Sequence, residues 1–383
     1  MITYEFLQNY WWFIISLLGG ILVFLLFVQG GQSMIKSLAK NEDEKSLVIN
    51  AIGRKWEYTF TTLVVFGGAF FASFPLFYAT SFGGAYWVWM LLLFSFVVQA
   101  VSFKFGSMPN NFLGDKTYQN FLFFNGIVGP VVLGVAVATF FTGSEFTINK
   151  INLVTFMNGG NTMSGWDNPL HGLEALGSLR NWTLGLALFF LSRTQASLYF
   201  VNRLDHHALQ ARSRKYTLYN AIPFLVFFLT FLIWTLVSEG YAVNPDTKEV
   251  FMQPYKYLNN FIEMPIIMTL FILGVVAVLW GIFATVFNKS YSKGVWFSGA
   301  GTIIAVTMLL LITGYNNTAF YPSYTSLQSS LTIQNASSSE FTLRAMGVVS
   351  FFVPIVAGYI FYAWRALEGK RLSLKDTKED GGY

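Results

Sequence analysis

Nine runs of mostly apolar residues, most close to twenty long, recur along this chain and decide what it can fold into. A helix needs about 20 such residues to cross the hydrocarbon of a bilayer. The runs cover residues 10–28, 58–79, 85–101, 121–141, 182–201, 219–238, 264–288, 294–314 and 344–364. They are apolar on all faces, which suits a lipid-embedded bundle. Within lipid only helices and closed barrels satisfy their own backbone, so the reading is an all-α polytopic membrane protein with nine transmembrane helices. Composition agrees. Charged residues are 11% of the 383 and mean hydropathy is +0.51, whereas a soluble domain carries roughly 25% charged residues. Many of the Trp and Tyr stand at the ends of runs, where amphipathic rings favour the headgroup layer. The first run has no basic segment before it and no small-residue cleavage site after it, so it reads as a retained span.

The basic residues test this layout. Eighteen of the 24 Lys and Arg fall in alternate connections and in the tail, on one side of the membrane. Four fall on the other side (Lys150, Arg180, Lys248 and Lys256), and Arg193 and Arg344 lie within runs. Cytoplasmic loops carry the excess of Lys and Arg, which places the amino terminus outside and the carboxyl terminus in the cytoplasm. The formal charge of +5 is thereby explained by membrane orientation, and no nucleic-acid partner is implied. The segment 368–383 is charged and reads as a disordered cytoplasmic tail.

Next comes the chemistry the chain can hold. It has no Cys, so disulfides, thiolate metal sites and Cys-linked haem are excluded. Haem in a membrane takes axial His, Met, Cys or Tyr. The three His, His171, His206 and His207, all lie between runs, so a bis-His haem inside the bilayer cannot be built from this chain alone. No metal site is expected; His206 and His207 read as solvated loop residues, and Met90 and Met268 as packing residues. No phosphate-binding loop or dinucleotide fingerprint is present. Gly pairs such as Gly67–Gly68 in the second run read as close helix contacts, and Gly159–Gly160 is a further pair.

The charges that enter apolar runs are the candidates for function. Glu57 opens the second run directly after Trp56. A partly desolvated carboxyl favours its neutral form and can pass protons near neutral pH. The plainer alternative is a carboxylate at a helix start, favoured by the dipole. Arg193 lies past the middle of the fifth run, in Ser192–Arg193–Thr194–Gln195, and reads as a structural charge facing protein or a polar cavity, with Glu57 or another acid as counterion. Lys104 closes the third run and reads as a cation snorkelling to the headgroups.

These residues have a recognisable order: Tyr4–Glu5, Trp11–Trp12, Gln29–Gly30–Gly31–Gln32, Trp56–Glu57, Gly67–Gly68–Ala69 with Pro75, then Ser339–Glu340–Phe341 and Val353–Pro354. The set resembles subunit II of the cytochrome bd quinol oxidases, over essentially the whole chain. The resemblance implies two four-helix bundles plus one peripheral helix. It implies a partner, the haem-bearing subunit I, which carries haem b and haem d and the quinol-oxidising loop, while subunit II supports it and contributes proton or oxygen access. It allows a structural quinone in this chain and small single-span accessory subunits beside it. It places Trp56–Glu57 on a proton route where relatives usually have Trp–Asp. Gln29 and Gln32 stand where acids are common, and Lys104 where some relatives carry an acid after Phe103, so any such route here differs. A secondary transporter is the competing reading. It would be expected to show broken helices around a central polar site.

Overall fold

The computed structural model describes residues 3–108, 111–149 and 163–379; Lys150 and Gly159–Gly160 lie outside the described residues. The apolar runs form the helices. In chain order they are α1 (Tyr4–Leu38), the short α2 (Glu42–Gly53), α3 (Trp56–Ser73), α4 (Pro75–Gly84), α5 (Tyr86–Phe105), α6 (Asp115–Thr142), α7 (Leu179–Arg203), α8 (His207–Val237), the short α9 (Lys256–Glu263), α10 (Pro265–Phe287), α11 (Gly294–Gly314), α12 (Glu340–Ser350), α13 (Val353–Leu367) and α14 (Leu374–Glu379). Among the described residues seven helices are long and apolar enough to cross a membrane, or up to nine if each of two bent pairs is one span. The chain is an all-α polytopic membrane protein.

α1 is the axis of the packing. Thr3 caps its start by accepting from the Phe6 amide at 3.2 Å. Its flanks meet α3, α6, α7 and α11. At Gly30 the α7 backbone comes so close that a Cβ would collide with the Ser192 carbonyl, so two helix axes approach where only glycine fits. At Gly67–Gly68 the two residues differ: Gly67 is buried, with a Cβ there 3.4 Å from the Phe82 ring, whereas a Cβ on Gly68 meets no atom within 4 Å. α8 and α10 present most of their surface outward, where bare apolar side chains suit lipid.

Two expected spans are bent. The run 58–79 is split at Phe74, whose φ of −133° and ψ of 66° leave the helical region. Pro75 lacks an amide hydrogen and disfavours helix in the residue before it, and the chain turns by 118°. The Ser73 carbonyl released by the break accepts from the Ser338 amide at 2.8 Å. The run 344–364 bends by 42° between α12 and α13. The segments away from the basic end hold two antiparallel hairpins that the apolar pattern does not foreshadow: β1 (Phe146–Ile148) with β2 (Ser164–Trp166), and β3 (Gly240–Val243) with β4 (Val250–Gln253). The second turns at Asn244, whose side-chain oxygen accepts from the Asp246 and Thr247 amides.

The described part of the tail departs from the expectation of disorder. Leu372 is buried, its backbone amide and carbonyl pair with Arg203 and Asp205, and α14 follows. Arg203 donates to the Leu367 carbonyl at 2.7 Å and to the Lys370 carbonyl. One apolar anchor and one buried guanidinium hold a segment that charge composition alone marks as solvated.

Candidate functional site

The turn between α2 and α3 brings the sequence candidates to the basic end. α2 ends at Gly53; the Lys55 amide then donates to the Ile52 carbonyl at 2.9 Å, and α3 starts at Trp56. α3 is set against α1 by the Thr59 hydroxyl, which donates to the Leu25 carbonyl at 3.0 Å. That contact fixes the rotation of the helix. Lys55 is turned inward and Glu57 outward.

Lys55 is 1% exposed. Its Nζ lies 3.5 Å from Glu368 Oε1 and 3.8 Å from the centre of the Trp364 ring. The Tyr199 hydroxyl donates to the same Glu368 oxygen at 2.9 Å. Burial lowers the Lys55 ammonium to about 8, with Glu368 opposing the shift and Arg203 adding to it. The site therefore joins α3, α7 and the tail through one buried ion pair. The pair is the feature the sequence reading missed. The available signal was Lys55 beside the Trp56–Glu57 pair and Glu368 one turn after Trp364.

Glu57 is exposed on the outer face of α3. The same stripe carries Thr61 and Gly68, also exposed. Trp56 is half-buried and stacks on Phe103 with ring centres 6.1 Å apart and planes at 14°. Its buried indole Nε1 donates to no described group. Lys104, next to Phe103, is exposed at the end of α5. The Trp56–Phe103 stack joins α3 to α5, and Glu57 and Lys104 each follow one of its rings in sequence.

Arg193 is elsewhere, and the expected pairing with Glu57 does not occur. Its Nε donates to Asn220 Oδ1 at 2.7 Å, its Nη1 reaches Ser33 Oγ at 3.3 Å, and its guanidinium lies 5.3 Å from the Phe189 ring centre. Among the described residues no carboxylate contacts it. Glu57 is turned away by the rotation of α3, so neutral dipoles take the counterion's place.

Gln29 and Gln32 are fully buried on α1. Gln29 Nε2 donates to Gln99 Oε1 and Asn125 Oδ1, both at 3.3 Å, and Asn125 Nδ2 donates to Ser95 Oγ at 3.1 Å. Both polar atoms of Gln32, with Gln29 Oε1 and Gln99 Nε2, have no partner among the described residues. Buried polar atoms of this kind are sites for internal water. At Gln29 and Gln32 the chain keeps buried polarity without charge.

The residues do not fit a haem held by this chain. His171 stacks near Tyr86 in a loop, His206 caps α8 by accepting from the Leu209 amide at 3.2 Å, and His207 starts that helix. Met90 and Met268 face outward on α5 and α10. Among the described residues no group of three or more His, Cys, Asp or Glu is placed to hold a metal ion. A cavity of about 80 Å³ lies between α1, α6, α7, α8, α10 and α11, lined by Leu22, Leu188, Phe228, Val278 and Leu309. Thr302 is the polar side chain at its wall.

The chain is similar to known proteins along nearly its whole length. The profile of the cytochrome bd terminal oxidase subunit II family matches residues 7–367. The chain is 28% identical to the cytochrome bd-I ubiquinol oxidase subunit 2 of Escherichia coli K12, over 99% of this chain and 98% of that one. It is 28% identical to a probable cytochrome oxidase subunit 2 of Haemophilus influenzae, over 97% and 96%. It is 27% identical to the cytochrome bd ubiquinol oxidase subunit 2 of Bacillus subtilis, over 97% and 98%. Its fold matches a chain of the bd oxidase from Geobacillus thermodenitrificans with a TM-score of 0.60 at 14% identity, covering 94% of this chain and 98% of that one. With nearly its whole length matched, the chain belongs to the cytochrome bd terminal oxidase subunit II family.

Proposed function

We propose that this chain is the haem-free subunit of a quinol:oxygen oxidoreductase of the bacterial cytoplasmic membrane, with its amino terminus outside and its carboxyl terminus in the cytoplasm. The observation that carries this reading is the match to subunit II along residues 7–367, joined to relatives whose names give them as subunit 2 of cytochrome bd ubiquinol oxidases. The placement of His171 and His206 in loops and of His207 at the first residue of α8 supports the division of labour, because a haem in the bilayer needs axial ligands deeper in the helices. The b and d haems then belong to subunit I.

This chain's residues do two things in the proposal. The helices, arranged as two four-helix bundles and a peripheral helix, brace the partner. The open stripe of Glu57, Thr61 and Gly68 faces it, since a carboxylate exposed on a spanning helix is costly against lipid. Glu57 accepts protons from the cytoplasm and passes them along the subunit boundary. Trp56, held flat on Phe103, sets the rim of that entry. Lys104 stays at the headgroups as a snorkelling cation. The buried amides around Gln29 hold water and carry no charge of their own. The central cavity offers a quinone ring little beyond the Thr302 hydroxyl, so a structural quinone in this chain would rest on apolar contact. Small single-span subunits would add to the same complex.

Membranes holding this chain with its haem-bearing partner should consume oxygen when given quinol, and membranes lacking this chain should not. Quinol-driven uptake that is unchanged without it would refute the reading.

A further inference from the structure

The cations at the basic end differ in their partners; exposed Arg371, for one, donates to Ser292 Oγ at 3.2 Å. Arg212 is paired with Glu44, Lys55 with Glu368 and Lys45 with Glu42. Arg203 and Arg214 donate to backbone carbonyls at chain ends and turns. Arg193 and Lys36 have only neutral side-chain partners among the described residues. Lys36 Nζ donates to Asn120 Oδ1 on α6 and lies 5.5 Å from the Phe123 ring centre. Arg193 spends Nε on Asn220 and Nη1 on Ser33, and its Nη2 has no described partner.

The two charges share one strip of α1. Ser33, the acceptor of Arg193, is three residues before Lys36, and such residues are neighbours on a helix surface. α8 holds the strip at two levels: the Tyr216 hydroxyl donates to the Ser37 carbonyl at 3.1 Å, and Asn220, one turn on, accepts from Arg193. The depth of the guanidinium is therefore fixed. Ser33 is five residues from the end of α1 at Leu38, about 8 Å at 1.5 Å per residue. The guanidinium thus meets α1 within about one and a half turns of its end. Exposed rings stand beside both cations: Phe123 on α6, next to Lys36, and Tyr219 on α8, one residue before Asn220.

A guanidinium at this depth without a carboxylate costs at least ~2.5 kcal/mol at the bilayer centre, and less near the interface. Neutral Asn and Ser oxygens satisfy hydrogen bonds and leave the charge uncompensated. A phosphate diester would supply both the charge and the acceptor oxygens for the free N–H groups. We infer that Lys36 and Arg193 form a binding site for the phosphate of an anionic phospholipid, with Phe123 and Tyr219 bordering its acyl chains. Phe123 and Tyr219 are exposed apolar rings on spanning helices, which favours a headgroup with acyl chains over free phosphate in solution.

The test uses the intact purified complex, delipidated and then returned to nanodiscs of phosphatidylglycerol or phosphatidylcholine, with bound lipid counted by native mass spectrometry. Phosphatidylglycerol should be retained over phosphatidylcholine. Each cation should contribute about fivefold in retention, so Lys36→Gln weakens it about fivefold and Lys36→Gln/Arg193→Gln by about 25-fold. Lys40→Gln, at the same end but off this strip, should leave retention unchanged. If the double variant does not assemble, the exposed Lys36 alone carries the test. Equal retention of the two lipids, unchanged retention in Lys36→Gln, or displacement of the lipid by an equal concentration of inorganic phosphate would each overturn the inference.

Discussion

Lys55 and Glu57 stand two residues apart at the same helix start and meet opposite fates. Lys55 is enclosed by Trp364, Tyr199 and Glu368. Glu57 is exposed, with no ion pair among the described residues. Side chains two positions apart on a helix point in different directions, so one charge becomes part of the core and the other part of the outer surface. The difference separates two uses of charge. A buried pair costs desolvation and is kept for the geometry it imposes. A carboxylate left open on a spanning helix is available for chemistry with a partner.

The largest expected effect falls on the buried side. Lys55→Ala or Glu368→Ala leaves a lone charge in the core and should cost about 3–5 kcal/mol. The loss would be read as a lower unfolding midpoint and as cleavage of the tail by protease. Lys55→Met/Glu368→Met should recover most of it. Wild-type stability in the single variants would show that the pair is not buried in the complex.

On the open side, Glu57→Gln should lower turnover or its linked charge movement about a hundredfold, the low end of what a positioned acid–base group contributes, with haem spectra intact. Full turnover with normal voltage generation would remove Glu57 from the mechanism and leave Lys55 as the functional member of the two.

Titration sharpens the contrast further. Lys55 is lowered to about 8 in the folded chain, mainly by burial, from an ordinary value near 10.5. The folded state therefore binds fewer protons at this residue than the unfolded state. This contribution to stability is smallest below pH 8 and grows as pH rises from there towards 10.5, by about 2 kcal/mol between pH 7 and pH 9.5. The unfolding midpoint should rise over that range, and Lys55→Met should flatten the trend. A midpoint that falls with pH would reverse the assigned sign.

The smallest effect concerns Lys104. It is exposed beside the aromatic stack, and Lys104→Gln should keep turnover within about a factor of two. A loss comparable to that of Glu57→Gln would place this cation on the proton route after all.

The spanning helices were legible because lipid imposes length and apolarity on each one separately. Glu57 and Arg193 were legible because each interrupts an apolar run. What stayed hidden depends on contacts far apart in the chain. Lys55 meets Glu368 across 313 residues, and no local pattern marks either as buried. Arg193 is hydrogen-bonded to Asn220 and Ser33, which carry no charge to search for. The break at Phe74–Pro75 had a local signal in proline, but the 118° turn depends on Ser338 taking up the freed carbonyl. The departure at Gln29 was visible in sequence, whereas its complete enclosure by α5 and α6 was not.

The central claim is that the redox centres of the assembly reside outside this polypeptide. The direct measurement is haem content and the reduced-minus-oxidised spectrum of this chain purified alone, beside the same chain purified with its haem-bearing partner. The account predicts a colourless protein alone and b- and d-type absorbance in the complex. Stoichiometric haem bound to the isolated chain would contradict it.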